Sequence, residues 1–188
     1  MTDTKLNILA ISGSVRAASL NQGLLASAKE LGVTGVEIEL YSGTVGLPIF
    51  SEELEGPNRP QPATDLDSAI RNADAVLIAT PEYNGSLPGG LKNLLDWGSR
   101  PYGQGAFAHK PVAVIGASMG QYGAARAVQT TAGILSHMGA NVLEGHLTVG
   151  AAHSKFNQNV ELQDEMTKKS LGNIVSRLRD SVLMKSAV

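Results

Sequence analysis

The sequence predicts an α/β fold: a five-stranded parallel sheet covered by helices on both faces. Three observations predict it. Short apolar runs alternate with amphipathic segments along the whole chain, the pattern of a parallel sheet between two helix layers. The central runs are continuously apolar, as strands buried on both faces must be. Turns rich in Gly, Ser or Pro follow the first, third and fourth runs, where a doubly wound sheet holds its ligands.

The first strand covers residues 6–11, with Leu6, Ile8, Leu9, Ala10 and Ile11. Residues 36–41 alternate, with Val36, Ile38 and Leu40 against Glu37, Glu39 and Tyr41, which suits a strand nearer an edge. Residues 75–79 and 112–117 are the two continuous runs. A fifth strand covers 142–143 and 147–149, interrupted by Glu144-Gly145-His146. Between the strands lie helical stripes. Leu24, Leu25, Ala28 and Leu31 share one face. Thr64 with Asp67 three residues on reads as a helix start ahead of Leu66, Ala69 and Ile70. Leu91, Leu94 and Leu95 form a third stripe, Ala124, Val128, Leu135 and Met138 a fourth, and Leu171, Ile174, Leu178 and Val182 a fifth. Gly32 and Gly139 are placed as helix stops. Right-handed crossovers leave few ways to join five such strands, and the expected order is 2-1-3-4-5. That is a flavodoxin-like three-layer sandwich. Residues 42–63 form one long irregular stretch with Pro48, Pro57, Pro60 and Pro62. A loop of that length is functional, an interface or a solvated connection.

The chain has 188 residues, enough for one domain over 1–188 with a sizeable core. Its formal net charge is −2, without the basic stripe that nucleic acid requires. It has no cysteine, which excludes disulfides, thiolate nucleophiles and iron–sulfur clusters. His109, His137, His146 and His153 lack metal-ligand spacing, so no metal is expected. No apolar run approaches the ~20 residues of a membrane span. The start Met1-Thr2-Asp3-Thr4-Lys5 lacks a leader pattern, and a cytoplasmic location is expected.

The chemistry lies in three turns. Ser12-Gly13-Ser14-Val15-Arg16-Ala17-Ala18-Ser19-Leu20-Asn21 opens the first helix with three hydroxyls, one guanidinium and one amide. A helix start adds unpaired N–H groups and positive dipole, so this is an anion site, most simply for a phosphate. It lacks the Gly-x-Gly-x-x-Gly of dinucleotide folds and the Gly-Lys-Ser/Thr of a Walker loop. A terminal monophosphate therefore fits better than a pyrophosphate, and Ser19 and Asn21 also suit capping. The third strand leads into Pro81-Glu82-Tyr83-Asn84-Gly85-Ser86-Leu87-Pro88-Gly89-Gly90. That rigid turn carries a flat aromatic face at Tyr83 and an amide at Asn84, both suited to a planar heterocycle. The fourth strand leads into Ser118-Met119-Gly120-Gln121-Tyr122-Gly123.

Together these blocks resemble the NADPH-dependent FMN reductase family, which includes bacterial quinone and chromate reductases. The resemblance rests on Gly13-Ser14-x-Arg16-x-x-Ser19-x-Asn21, on Pro81 to Ser86 with Pro88-Gly89-x-Leu91-Lys92-Asn93-x-Leu95-Asp96-Trp97, and on Gly120-x-x-Gly123-Ala124-x-Arg126. It covers essentially the whole chain. It implies FMN phosphate binding by Ser14, Arg16, Ser19, Leu20 and Asn21. It implies ring and ribityl contacts from Pro81, Glu82, Tyr83 and Asn84, with Ser118 and Gly120 near the ring. It also implies a homodimer or homotetramer with the flavin near a subunit boundary. Tyr122 stands where many relatives carry a small residue.

On that resemblance, NADPH or NADH passes a hydride to bound FMN. A small-molecule electron acceptor, such as a quinone or free flavin, then takes two electrons in a ping-pong scheme. No protein acid or base is required; Glu82 is a candidate proton donor, although a solvated carboxylate is the plainer reading. Arg59, Arg100 and Arg126 are open candidates for the NADPH 2′-phosphate. A flavodoxin-like electron carrier without NAD(P)H oxidation is the competing expectation.

Overall fold

The computed structural model describes residues 5–185, so the Met1–Thr4 start and the last residues of the 1–188 span lie outside the described residues. Strand β1 is Leu6–Ser12, β2 Val36–Tyr41, β3 Ala75–Thr80 and β4 Pro111–Ala117. The sheet runs β2-β1-β3-β4-β5, with all pairs parallel. The flavodoxin-like order 2-1-3-4-5 is thus observed.

The helices are α1 Leu20–Glu30, α2 Gln61–Asn72, α3 Gly89–Gly98, α4 Ala125–His137 and α5 Glu165–Lys185. Successive residues of a strand point to opposite faces, and the two helix layers divide the sheet accordingly. Ile8, Ala10, Leu77 and Ile115 meet Leu24, Leu25 and Ala28 of α1 and Leu171 and Leu178 of α5. Leu9, Ile11, Val76, Ile78 and Val114 meet Leu66 and Ile70 of α2, Leu91, Leu94 and Leu95 of α3, and Val128 and Leu135 of α4. Each such aliphatic side chain, fully buried, stabilises the fold by about 1.5–3 kcal/mol. Gly32 and Gly139 take left-handed backbone (φ +57 and +80) just past α1 and α4, as helix stops should.

Two expectations are corrected. The fifth strand is two strands, β5 Asn141–Val142 and β6 Leu147–Val149, each paired with β4. Glu144-Gly145-His146 leaves the ladder between them, with Gly145 left-handed at φ +72. Helix α2 begins at Gln61, not at Thr64. Pro60 stands at its N-cap and Pro62 in its first turn, where the missing N–H has no helical partner to lose. The Thr64 hydroxyl donates to the Pro60 carbonyl and Asp67 pairs with Arg71, so neither caps the helix.

The stretch ahead of α2 holds three short 3-10 turns, Gly43–Gly46, Glu52–Leu54 and Gly56–Asn58. It is tied to α3. The Pro48 carbonyl accepts from Asn93 Nδ2 (2.9 Å) and from Trp97 Nε1 (2.8 Å). The Phe50 N–H donates to Asn93 Oδ1 at 2.8 Å. Phe50 meets the buried Trp97 edge to face at 5.0 Å, and Arg59 lies over the same indole. The motif residues Asn93 and Trp97 therefore anchor a loop.

Candidate active site

At the end of β1 the chain turns without room to spare. The Gly13 N–H donates to the Ala79 carbonyl at 2.8 Å. A Cβ on Gly13 would stand 3.0 Å from Leu91 Cδ2 and 3.2 Å from Thr80 Oγ1, so a larger residue would have to push these side chains back. The Ser12 hydroxyl donates to the Ser14 carbonyl and accepts from the Ser14 N–H. Ser14 Oγ accepts from the Arg16 N–H, and Ser19 Oγ accepts from the N–H groups of Asn21 and Gln22, making Ser19 the N-cap of α1. As acceptors, Ser14 and Ser19 each keep a hydroxyl proton to donate elsewhere. Among the described residues, nothing accepts from the backbone N–H groups of Ala17, Ala18, Ser19 and Leu20, or from the exposed Arg16 guanidinium. These free donors converge on a positive helix end.

Asn21 is buried, and its amide bonds through both its nitrogen and its oxygen. Its Nδ2 donates to the Ala117 carbonyl at 3.1 Å and its Oδ1 accepts from the Ala117 N–H at 2.9 Å. This two-bond clamp joins the start of α1 to the end of β4, across 96 positions of sequence. Asn21 therefore shapes the site, and its second Nδ2–H remains outside the clamp.

The turn after β3 is a tight hairpin. Tyr83 and Ser86 exchange backbone hydrogen bonds of 3.0 and 3.1 Å. Between them Asn84 and Gly85 are both left-handed, at φ +52 and +75. Asn-Gly is the favoured pair for such a turn. Its tip carries Asn84 away from the cleft described below. Glu82 faces inward: its Oε2 accepts from the N–H of Arg126 (3.0 Å) and of Ala127 (3.4 Å) in the first turn of α4. Sequence reading took it for a solvated loop carboxylate or a proton donor; it is a half-buried anchor on a helix start, where negative charge is favoured.

The turn after β4 packs on the segment after β6. The Ser118 N–H donates to the Val149 carbonyl, and the N–H groups of Ala151 and Ala152 donate to the carbonyls of Gly120 and Ser118. Gly123 is left-handed at φ +58, and a Cβ there would come within 2.5 Å of the Val149 nitrogen. Ala124 follows, also left-handed at φ +66, a strain of about 1–2 kcal/mol for a residue with a side chain.

These three turns enclose a cleft of about 500 Å³ lined by Ser14, Arg16, Ser19, Leu20, Asn21, Pro81, Glu82, Tyr83, Ser118 and Gly120. Every sequence-predicted site residue except Asn84 is there. Ala117, Met119, Tyr122 and Ala124 complete the wall. Of these, Tyr122 and Ala124 stand out in the sequence, Ala124 as a member of the family motif; Ala117 and Met119 carry no such signal. Met119, Tyr122 and Tyr83 are 61%, 71% and 52% exposed and give the same cleft an apolar mouth. A larger hollow of about 670 Å³ flanks α1 beside Leu40 and Tyr41. It misses the carboxyl ends of β3 and β4, where a doubly wound sheet collects its ligand groups. The smaller cleft is the candidate site. Among the described residues no group of His, Asp and Glu gathers as a metal set, and no helix is long and apolar enough to cross a membrane.

Known proteins fit this geometry. The NADPH-dependent FMN reductase family matches residues 6–154. An NAD(P)H-dependent FMN reductase of Pseudomonas aeruginosa is 36% identical over 165 residues, covering 87% of this chain and 88% of that protein. A quinone reductase of Pseudomonas putida is 35% identical over 186 residues, covering 97% of each. The structure of FerB, a flavoenzyme NAD(P)H:(acceptor) oxidoreductase from Paracoccus denitrificans, superposes with a TM-score of 0.85 at 33% identity, covering 95% of this chain and 98% of that one. Fold and cleft define the class, a flavodoxin-like flavoprotein oxidoreductase. Within it, the chain belongs to the NADPH-dependent FMN reductase family, with FMN as cofactor and NAD(P)H as co-substrate.

Proposed function

We propose that the whole chain forms one FMN-binding unit that oxidises NAD(P)H and passes two electrons to a quinone or a similar small acceptor. One observation carries the assignment of the site: the unpaired Arg16 and the start of α1 at Ser19 and Leu20, whose N–H groups are free, line the same cleft as the exposed Tyr83, Met119 and Tyr122. At about 500 Å³ the cleft falls within the usual range for small-molecule sites. The donor end suits a phosphate dianion and the mouth a planar ring, so the residues present fit FMN.

The N–H groups at the start of α1, the Ser14 and Ser19 hydroxyls and the Arg16 guanidinium would hold the FMN phosphate. Leu20 closes the floor of that end, and Asn21 holds β4 at the right distance from it. Pro81, Glu82, Tyr83, Ser118 and Gly120 would border the ring. Bound FMN supplies the two-electron relay between nicotinamide and acceptor. Glu82 keeps the start of α4 in position with Oε2 and moves no proton. Tyr83, Met119 and Tyr122 supply apolar walls to whatever planar molecule occupies the mouth. Their exposure in one chain supports a homodimer or homotetramer whose partner borders the mouth and leaves it open to the nucleotide, and the supply of NAD(P)H supports a cytoplasmic setting. The function test is spectroscopic and kinetic. The protein, supplied with FMN, is expected to show an oxidised-flavin spectrum and to consume NAD(P)H when a benzoquinone is added. Failure to take up FMN overturns the reading; FMN uptake without NAD(P)H consumption makes the chain an electron carrier.

A further inference from the structure

The chain has seven arginines among its described residues, and the structure sorts them by what their guanidinium groups touch. Arg59 donates to the carbonyls of Ala63 and Trp97 and lies over the Trp97 ring. Arg71 pairs with Asp67 and donates to the Gln104 carbonyl. Arg100 sits between Glu52 and Glu55, over Phe50. Arg177 donates to the Glu144 carbonyl, and Arg179 to Asp180 and the Thr34 carbonyl. Among the described residues only Arg16 and Arg126 have no partner for the guanidinium. Arg16 stands at the phosphate end of the cleft. Arg126 stands outside the cleft lining.

Its position is fixed by its own backbone. The Arg126 N–H is held by the cleft residue Glu82 at 3.0 Å, two positions after the cleft residue Ala124. From there the exposed side chain crosses the hairpin tip: a Cβ on Gly85 would stand 3.6 Å from Arg126 Nη1. The free guanidinium thus lies against Gly85, on the hairpin that also carries the cleft residues Glu82 and Tyr83. A dinucleotide that brings its nicotinamide to the mouth must trail its adenosine half over the rim. NADPH and NADH differ there by a single group, a phosphate monoester on the adenosine ribose. A planar fork of N–H donors matches such a group in shape and charge.

We infer that Arg126 is the specificity-determining residue for the 2′-phosphate, and that this enzyme prefers NADPH to NADH because of it. Arg59 is held by the Ala63 and Trp97 carbonyls, and Arg100 faces the carboxylates of Glu52 and Glu55 at 3.8 and 3.6 Å, which would repel a phosphate. The inference rests on the function proposed above, and the experiment separates the two.

The FMN-loaded enzyme, its R126Q variant and its R126K variant are compared with NADPH and NADH as donors. Calorimetric titration with adenosine 2′,5′-bisphosphate and with 5′-AMP runs in parallel. A charge-assisted contact is expected to set the NADPH/NADH ratio of kcat/KM at about ten- to hundred-fold in the parent. R126Q removes that ratio through KM for NADPH rather than through kcat, and R126K restores part of it. Binding of the bisphosphate falls at least about ten-fold in R126Q, whereas 5′-AMP binding does not follow. An equal loss for both nucleotides, or a ratio that ignores the substitution, overturns the inference and leaves the oxidoreductase reading standing. If the holoenzyme oxidises neither nucleotide, that reading fails, and bisphosphate binding still decides the role of Arg126.

Discussion

Two irregular stretches of this chain look alike as sequence and behave as opposites in the fold. One is the turn from Gly13 to Asn21; the other is the connection from Ser42 to Pro60, which lies on α3. Both are poor in apolar periodicity and rich in turn residues. In the connection, polar groups find protein partners: Pro48 O with Asn93 and Trp97, Phe50 N with Asn93, Arg59 with Ala63 and Trp97, and Arg100 with Glu52 and Glu55. In the turn, the N–H groups of residues 17–20 and the Arg16 guanidinium find none among the described residues. Every helix start leaves free N–H groups; here they stand beside an unpaired guanidinium, the combination that suits an anion, and composition alone does not reveal which donors stay free.

The sharpest way to break this contrast is Trp97→Ala. Trp97 is fully buried and its Nε1 donates to the Pro48 carbonyl. Its loss is expected to cost about 3–5 kcal/mol of stability, as for other buried aromatics cut to alanine, read by denaturant unfolding. FMN affinity of the folded fraction should hardly move. If FMN is lost in step with stability, the connection belongs to the site and the contrast fails.

Arg16→Ala tests the other region. An exposed side chain with no protein partner contributes little to the apo fold, within about 0.5 kcal/mol. Its contact with a phosphate is worth about 1.5–3 kcal/mol. FMN binding should therefore weaken by that amount while riboflavin binding, which lacks the phosphate, stays level. Fluorescence titration of both ligands reads the difference, and equal weakening of the two would refute the phosphate assignment.

Much of the fold could be read from the sequence because it depends on local periodicity. Ile8 and Ala10 against Leu9 and Ile11 foretell two buried faces, and the break at Glu144-Gly145-His146 is visible before the structure separates β5 from β6. The start of α2 was misread because Thr64 and Asp67 imitate a cap, while Pro60 and Pro62 set the true start. The site was legible as three turns at one sheet edge, since doubly wound topology brings them together. The roles of single residues were less so. Asn21 meets Ala117 across 96 positions, Glu82 meets Arg126 across 44, and Trp97 meets Pro48 across 49. Such contacts have no period and no local motif, so only the folded chain reveals which polar groups remain free.

The smallest expected effect concerns His146, which belongs to neither region. It stands in the break between β5 and β6. Burial holds its pKa below the ordinary 6.5; the Val114 backbone offsets part of this, and the Arg177 charge lowers it further. Well above pH 6.5 the ring is neutral in both folded and unfolded chains and contributes no pH dependence. As pH falls through 6.5 the unfolded chain takes up the proton first, so the native state loses stability until the lower native pKa is passed. His146→Gln should flatten that acid limb in thermal unfolding scans between about pH 7 and pH 5. The ring is only half-buried, so the change should be smaller than either effect above. The pH profile of NAD(P)H oxidation should keep its shape, because His146 lines no part of the cleft. A shift of that profile on replacing His146 would extend the site past the carboxyl ends of β1, β3 and β4, and the boundary between working and supporting regions would have to be redrawn.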